Sequence, residues 1–154
     1  MKLVRYGDKG SEKPGIIDEQ GALRDLSAKI ADITPEALTP EGLAALNAID
    51  VGSLPEVTSA PRFGVPVSGI PKIVAIGQNY MNHILEMGYT PPEEPVIFVK
   101  AISSLTGPHD PMIKPKTSTK FDYEVELAAV IGTTAINVSV EDAFDHIAGY
   151  AVMN

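Results

Sequence analysis

The segment that most restricts the fold of this chain is "KFDYEVELAAVIG", residues 120–132. Apolar residues alternate along it, which predicts a β-strand, and its second half is apolar on both faces, which predicts burial. Glu124 and Glu126 are two residues apart, so their carboxylates share one face of that strand. Such carboxylates repel each other and lose hydration. Either a divalent cation such as Mg²⁺ or Ca²⁺ neutralises them, or both lie in water on an edge strand, and spacing alone favours the edge strand.

Composition excludes several classes of protein. The chain has 154 residues, of which 44% are hydrophobic and 21% charged, as in a globular domain with a real core. It has no cysteine, which excludes disulfides, thiolate catalysis and cysteine–zinc sites. A net charge of −8 argues against nucleic acid as a partner. No apolar run is long enough for a membrane span, and the N-terminus lacks the apolar core of a signal peptide. We therefore expect a bacterial-type cytoplasmic protein.

The order of turn and strand signals divides the chain into two parts. Residues 1–60 predict a small N-terminal domain, residues 61–71 a linker with many Pro and Gly, and residues 72–154 a second unit. The N-terminal domain should contain one helix that begins at Pro40, with Thr39 as its N-cap. Its three predicted strands are "KLVRY", "PGIID" and "ALRDL".

The second unit predicts two more helices and four strands. One helix should have Asn79 as its N-cap and Gly88 as its C-terminal stop. The other has Ser139 as N-cap and Asp142 three residues later, a capping-box pattern. The strand "KIVAIG" is expected to be buried. The other three strands are "EPVIFVK", "KFDYEVELAAVIG" and "AGYAVMN". The two helices are "NYMNHILEMG" and "SVEDAFDHI".

A histidine and a glutamate on the first of these helices form a second candidate site. His83 and Glu86 are three residues apart, so they are neighbours on one helix face. A carboxylate beside an imidazole suits a general base that acts on water, but the same pair is also common on helix surfaces. "GQN", residues 77–79, lacks the glycines and lysine of a phosphate loop. His109 and His146 show no partner spacing and are expected to be surface residues.

Several motifs together resemble the fumarylacetoacetate hydrolase (FAH) family over roughly residues 70–154. They are "KIVAIGQNYMNHILEMG", "PEEPVIFVK", "KFDYEVELAAVIG" and "VEDAFDHIAGYAVMN". The first 60 residues resemble a bacterial subgroup of ureidoglycolate lyases and 2,4-diketo-3-deoxy-sugar-acid hydrolases. The resemblance implies an α+β, mostly β fold: a small N-terminal α/β part followed by the first part of an FAH-type mixed β-roll. It also implies a homodimer.

The resemblance implies a role for each candidate residue. Glu124 and Glu126 match the family's pair of metal ligands, which bind Mg²⁺ or Mn²⁺, with Ca²⁺ as a possible substitute in crystals. His83 and Glu86 match the dyad that positions and activates water. Lys100 matches a lysine near the site, here a candidate for substrate binding.

The family's third metal ligand is an Asp directly after the Asn of "GYxVxN", and that Asn is Asn154. The resemblance therefore predicts that residues 1–154 are a fragment, which alone should bind metal poorly and show no turnover. A non-catalytic truncated module that acts by association is the alternative.

The implied reaction is cleavage of a small 2-oxo acid. It is either C–C hydrolysis of a 2,4-diketo acid or C–N cleavage of ureidoglycolate to glyoxylate and urea. Decarboxylases and isomerases of the same family share these residues, so the resemblance leaves the substrate open.

Overall fold

The computed structural model describes all residues 1–154, and strands dominate it. Seven strands and two short α-helices form an α+β fold. The strands are β1 (Lys2–Tyr6), β2 (Lys13–Ile17), β3 (Leu23–Asp25), β4 (Ile73–Gly77), β5 (Val96–Lys100), β6 (Glu126–Ile131) and β7 (Ile147–Met153). The α-helices are α1 (Pro40–Asn47) and α2 (Met81–Glu86). Neither helix has the length and apolar character that crossing a bilayer would require.

The chain divides into two compact units. The first unit comprises Met1–Gly69 and Thr106–Asn154, and the second is Ile70–Leu105. The second unit is therefore an insertion in the sequence of the first. The predicted domain boundaries at residues 60 and 72 stay a prediction.

The N-terminal strands form an antiparallel sheet in the order β1-β2-β3, and all three strand predictions are confirmed. Helix α1 follows, and it also begins as predicted: the Thr39 hydroxyl accepts a hydrogen bond from the Gly42 N–H at 3.1 Å, and Pro40 occupies the first turn. The cap satisfies an N–H group that has no partner inside the helix.

The core of the first unit forms between this sheet and the segments that follow it. Ile16 of β2 packs with Leu26, Leu46 and Leu54, and all four side chains are buried. Leu46 comes from α1, so the helix contributes its apolar face to the same cluster. Burial of this apolar area is the main favourable contribution to folding of the N-terminal part.

An ionic chain of five side chains joins distant segments of the first unit. Arg5 binds Asp32 through two hydrogen bonds of 2.7 and 3.0 Å, and Arg62 binds Asp110 through two of 2.7 and 2.6 Å. Glu12 lies between the two guanidinium groups, 2.9 Å from Arg62 and 3.6 Å from Arg5. The side chains of Glu12 and Asp110 are only 8% and 12% exposed. Bidentate, charge-assisted pairs have a restricted geometry, so the ionic chain fixes the segments that carry its members.

Asp110 also fixes the loop that begins at Thr106. Its carboxylate accepts hydrogen bonds from the Thr106 hydroxyl at 2.6 Å and from the Gly107 N–H at 2.9 Å. A side chain at Gly107 would collide with the carbonyl oxygen of Phe63. Phe63 forms a β-bridge with Tyr6 of β1. This loop therefore packs closely against the segment beside β1.

Strands β6 and β7 form an antiparallel ribbon in the first unit, with Glu126 opposite Met153. The predicted strand over residues 120–132 is wrong in its first half, because β6 begins only at Glu126. Residues 121–125 are exposed, and the hydrogen-bonded ladder with β7 begins only at the pair Glu126 and Met153. The expected burial is also only partial: Glu126, Ala128 and Val130 on one face are half-buried, whereas the alternate residues on the other face are exposed.

The helix predicted over "SVEDAFDHI" is mostly wrong. Ser139 and Asp142 do form the expected capping interaction, in which the Asp142 N–H donates to the Ser139 hydroxyl at 3.1 Å. Only a 3₁₀ turn, Ala143–His146, follows before β7 begins at Ile147. The backbone N–H groups in this span donate to carbonyl oxygens three residues earlier, as in a 3₁₀ helix: Asp145 donates to Asp142 at 3.0 Å.

The second unit consists mainly of the antiparallel pair β4–β5 and helix α2. "KIVAIG" forms β4 as predicted, but it is not buried: Val74 and Ile76 are 51% and 39% exposed. The N-cap of α2 is Tyr80, so the prediction of Asn79 is wrong, whereas Gly88 follows the helix with φ of 73°, as a C-terminal stop requires. Ile84 is the buried hydrophobic residue of this unit.

The ionic chain predicts how stability depends on pH. Arg62 holds the pKa of the Asp110 carboxyl far below its ordinary value of 3.8, with help from Thr106 and Gly107. A lowered pKa in the folded state means that the carboxylate stabilises the fold above about pH 4, and that this contribution is lost as the pH falls below it. Asp110→Asn should therefore lower the melting temperature at about pH 7, and the difference from wild type should shrink towards about pH 2.5.

Thermal unfolding followed by circular dichroism across this pH range measures the effect. Asp8→Asn is a matched control, because it makes the same charge change at an exposed residue of the β1–β2 turn. A constant difference between wild type and Asp110→Asn at every pH would contradict the assigned role of the Asp110 charge.

Candidate active site

The two candidate metal ligands lie in the first unit at the start of β6. Glu126 is the first residue of the strand and is half-buried, and Glu124 is exposed two residues earlier. Neither carboxylate forms an ion pair or accepts a hydrogen bond from the protein. Other carboxylates of this unit, such as Asp110, are bound by arginine or by N–H groups. Glu124 and Glu126 are therefore free to bind a ligand.

The backbone of Glu124 is held by a side chain. Its N–H donates a hydrogen bond of 2.8 Å to Oδ1 of Asn154, which follows β7. The amide nitrogen of Asn154 lies 3.9 Å from the sulfur of Met112, in the loop that also carries Asp110. Asn154 thus connects the segment before β6 to two other parts of the first unit.

The donor atoms at this position fit a hard divalent cation, although the set is incomplete. Carboxylate oxygens are the ligands that Mg²⁺ and Ca²⁺ prefer, and two unpaired carboxylates near each other in sequence supply negative charge without a competing cation. The structure contains no group of three or more His, Asp or Glu side chains arranged to hold a metal. Glu124 and Glu126 could accordingly supply only part of the coordination shell.

The candidate dyad lies on α2 in the second unit. Nδ1 of His83 is 3.8 Å from Oε2 of Glu86, which confirms that the two side chains are neighbours on one helix face. This distance is longer than a hydrogen bond. The two side chains are 65% and 79% exposed, so both are accessible to water or to a ligand.

The remaining predicted residues lie in different settings. Lys100 is the last residue of β5, and its ammonium is 6.0 Å from the ring centre of Phe98. His109 is exposed, as expected. His146 is half-buried, and its Nδ1 forms a hydrogen bond of 2.9 Å with the Thr133 hydroxyl, so its role is to join the ends of β6 and β7.

Asn154 is the residue near the site that the sequence analysis missed as a contact. Only the pairing register reveals it: if Glu126 lies opposite Met153, the next residue of the β7 segment must approach the residues before β6. The arginines of the ionic chain were also missed, since their partners are distant in sequence.

Comparison with protein families gives a match to the family described as Fumarylacetoacetate (FAA) hydrolase C-terminal, over residues 72–154. This range contains all five candidate residues. They are His83, Glu86, Lys100, Glu124 and Glu126.

Among curated proteins, the chain is 51% identical over 154 residues to the 2,4-didehydro-3-deoxy-L-rhamnonate hydrolase of Sphingomonas sp. (strain SKA58), covering 100% of this chain and 52% of that protein. Among solved structures, it resembles the fumarylacetoacetate hydrolase from the psychrophile Exiguobacterium antarcticum with a TM-score of 0.80 and 29% identity. That match covers 99% of this chain and 54% of the other. The chain thus spans about half the length of the relatives it matches. The family match over more than half of the chain, together with these likenesses, shows that the chain belongs to the fumarylacetoacetate hydrolase family.

Proposed function

We propose that this chain is part of a divalent-cation-dependent hydrolase that cleaves a small 2,4-diketo-3-deoxy sugar acid. The observation that carries the proposal is the pair Glu124 and Glu126, whose carboxylates have no partner in the protein. The substrate class is supported by the 51% identity to a protein named 2,4-didehydro-3-deoxy-L-rhamnonate hydrolase.

The proposed reaction is C–C hydrolysis. The oxygen of a water molecule forms a bond to the carbonyl carbon C4, and the bond between C3 and C4 breaks. The electron pair of that bond passes to C3 as the enolate of a 2-oxo acid, and protonation at C3 gives the keto product. C4, now bonded to the water oxygen, leaves as the carboxyl group of the second product. A divalent cation bound by Glu124 and Glu126 would supply Lewis-acid polarisation of the 2-oxo group.

The residues of the chain then have distinct roles in the proposal. His83 accepts the proton of the attacking water, as a general base must. Glu86 orients the imidazole and stabilises its charged form, and the separation of 3.8 Å would have to shorten for a direct hydrogen bond. Lys100 provides a positive charge for the substrate carboxylate. Each role requires a side chain that can reach solvent, and the exposure of His83 and Glu86 is consistent with this.

A substrate screen of the full-length protein tests the function. We expect release of pyruvate from a 2,4-diketo-3-deoxy sugar acid, complete loss of turnover after treatment with EDTA, and recovery with Mg²⁺ or Mn²⁺. The screen also contains acylpyruvates, oxaloacetate and ureidoglycolate, with products identified by mass spectrometry.

The homodimer implied by the family belongs to the same proposal, and light scattering of the purified protein tests it.

Each other outcome of the screen would contradict a specific part of the proposal. Turnover that persists without a divalent cation would exclude the metal role. Urea release from ureidoglycolate alone would indicate a lyase, and loss of CO₂ from oxaloacetate alone would indicate a decarboxylase. No turnover of any compound by a folded, metal-loaded protein would favour the non-catalytic module.

Paired variants separate metal binding from proton transfer. Glu126→Gln should weaken Mn²⁺ binding, measured by calorimetry, because a neutral amide is a poorer ligand for a hard cation. His83→Ala should leave Mn²⁺ affinity unchanged but lower kcat by about 10²- to 10⁴-fold, the usual contribution of a general base.

Two matched controls are available in the same chain. Glu141→Gln makes the same charge change at a different glutamate of the first unit, which is exposed, and His109→Ala removes another exposed imidazole. Neither control should alter metal affinity or kcat. If His83→Ala weakened Mn²⁺ binding as strongly as Glu126→Gln, His83 would be a ligand and its assignment as a base would be wrong.

A further inference from the structure

We propose that Gln78 is a specificity-determining residue, whose side-chain amide forms a hydrogen bond with a hydroxyl group of the substrate beyond C4. This inference rests on the proposed function, because it names the part of a 2,4-diketo-3-deoxy sugar acid that the amide recognises. Gln78 belongs to the second unit and lies between β4 and α2, the helix that carries His83.

The backbone conformation of Gln78 is the first argument. Its φ of 51° lies in the left-handed region, where a side chain is crowded and glycine is favoured. Asn137 is the other non-glycine residue with a positive φ. Asparagine adopts this conformation more readily than most residues, whereas glutamine has no such preference. The turn after β4 therefore requires a left-handed backbone at residue 78, but it does not require a glutamine side chain.

The second argument is that this side chain has no partner within the protein. Gln78 is exposed, and its amide forms no hydrogen bond with another residue. A free amide offers both an N–H donor and a carbonyl acceptor to a ligand. A hydroxyl group can also donate and accept, so the amide can distinguish a sugar acid from an acylpyruvate that has no hydroxyl group.

The third argument is the position of Gln78 in the β4–β5 ribbon. Lys100 pairs with the first residue of β4, whereas Gln78 directly follows the last residue of β4. The two residues thus lie at opposite ends of the ribbon, roughly 17 Å apart at a rise of about 3.4 Å per residue. The Lys100 ammonium lies over the ring of Phe98, two residues nearer to the end at Gln78. The gap left between the two long side chains can be filled by a six-carbon acid.

This arrangement gives the substrate a direction. In the proposed reaction Lys100 binds the carboxylate at C1, and His83 activates the water that attacks C4. With C1 held at one end of the ribbon, the carbons beyond C4 extend towards the other end, where the chain turns into α2. Gln78 occupies that turn, so its amide is the group placed to meet their hydroxyls.

Two variants and one control of the full-length protein test this role. Gln78→Gly removes the amide and permits the left-handed conformation without steric cost. Gln78→Asn keeps an amide on a side chain that is shorter by one methylene. Asn137→Gly is the matched control, because it makes a comparable change at the other left-handed residue, in the first unit.

The readouts are kcat and KM with two compounds in the presence of Mg²⁺. One is a six-carbon 2,4-diketo-3-deoxy sugar acid. The other is 2,4-dioxohexanoate, an acylpyruvate with the same chain length and no hydroxyl group.

We expect Gln78→Gly to lower kcat/KM for the sugar acid by about 3- to 10-fold, as the loss of one hydrogen bond does. The kcat/KM for 2,4-dioxohexanoate should not change, because this compound offers the amide no hydroxyl. Gln78→Asn should show a smaller loss in the same direction, and Asn137→Gly should show none with either compound. If Gln78→Gly does not fold, Gln78→Asn decides by the same comparison.

The outcomes separate this inference from the proposed function. A wild-type protein that cleaves the sugar acid and a Gln78→Gly variant of equal kcat/KM would overturn the role of Gln78 alone. An equal loss with both compounds would do the same, because the effect would then come from the backbone of the turn. A folded wild-type protein with no turnover of the sugar acid would overturn the proposed function, and the role of Gln78 with it.

Discussion

The bidentate pair between Arg62 and Asp110 joins the two stretches of the first unit, Met1–Gly69 and Thr106–Asn154. Arg62 also binds Glu12, which in turn faces Arg5, and Arg5 binds Asp32. Removal of one member would leave a charge without its partner in a place with little access to water, which is costly. Through Asp110 the ionic chain fixes the loop from Thr106 onward, and that loop leads to Met112 and the Asn154 contact beside the candidate metal ligands.

Hydrophobic burial is distributed unevenly along the chain. Eight of the nine buried hydrophobic core residues lie within Met1–Gly69, and the other is Ile84. In contrast, β5 exposes Val96, Ile97, Phe98 and Val99, and β6 exposes Leu127 and Ile131. Stability should therefore be concentrated in the N-terminal sheet and α1, whereas the strands that carry the candidate site have little apolar burial of their own.

Elements whose ends depend on neighbouring residues could be predicted from the sequence. Contacts between residues far apart in the sequence could not. Thr39 and Pro40 suffice to begin α1, and Gly88 suffices to end α2. The strand over residues 120–132 was predicted too long, because alternation of apolar residues does not show at which residue backbone pairing begins. The Arg62–Asp110 pair spans 48 residues and the Glu124–Asn154 bond spans 30, so no local pattern indicates either. Of the site, the neighbouring positions of His83 and Glu86 were predictable, but the hydrogen bond from the Glu124 N–H to the Asn154 side chain was not.

The central claim is that Glu124 and Glu126 bind a divalent cation together. Anomalous X-ray diffraction from crystals of the full-length protein grown with Mn²⁺ tests it most directly. The account predicts one strong manganese peak with an oxygen of each carboxylate at about 2.0–2.6 Å, the range for hard cations bound by oxygen. Manganese bound elsewhere in the protein, with both carboxylates in contact only with water, would contradict the account.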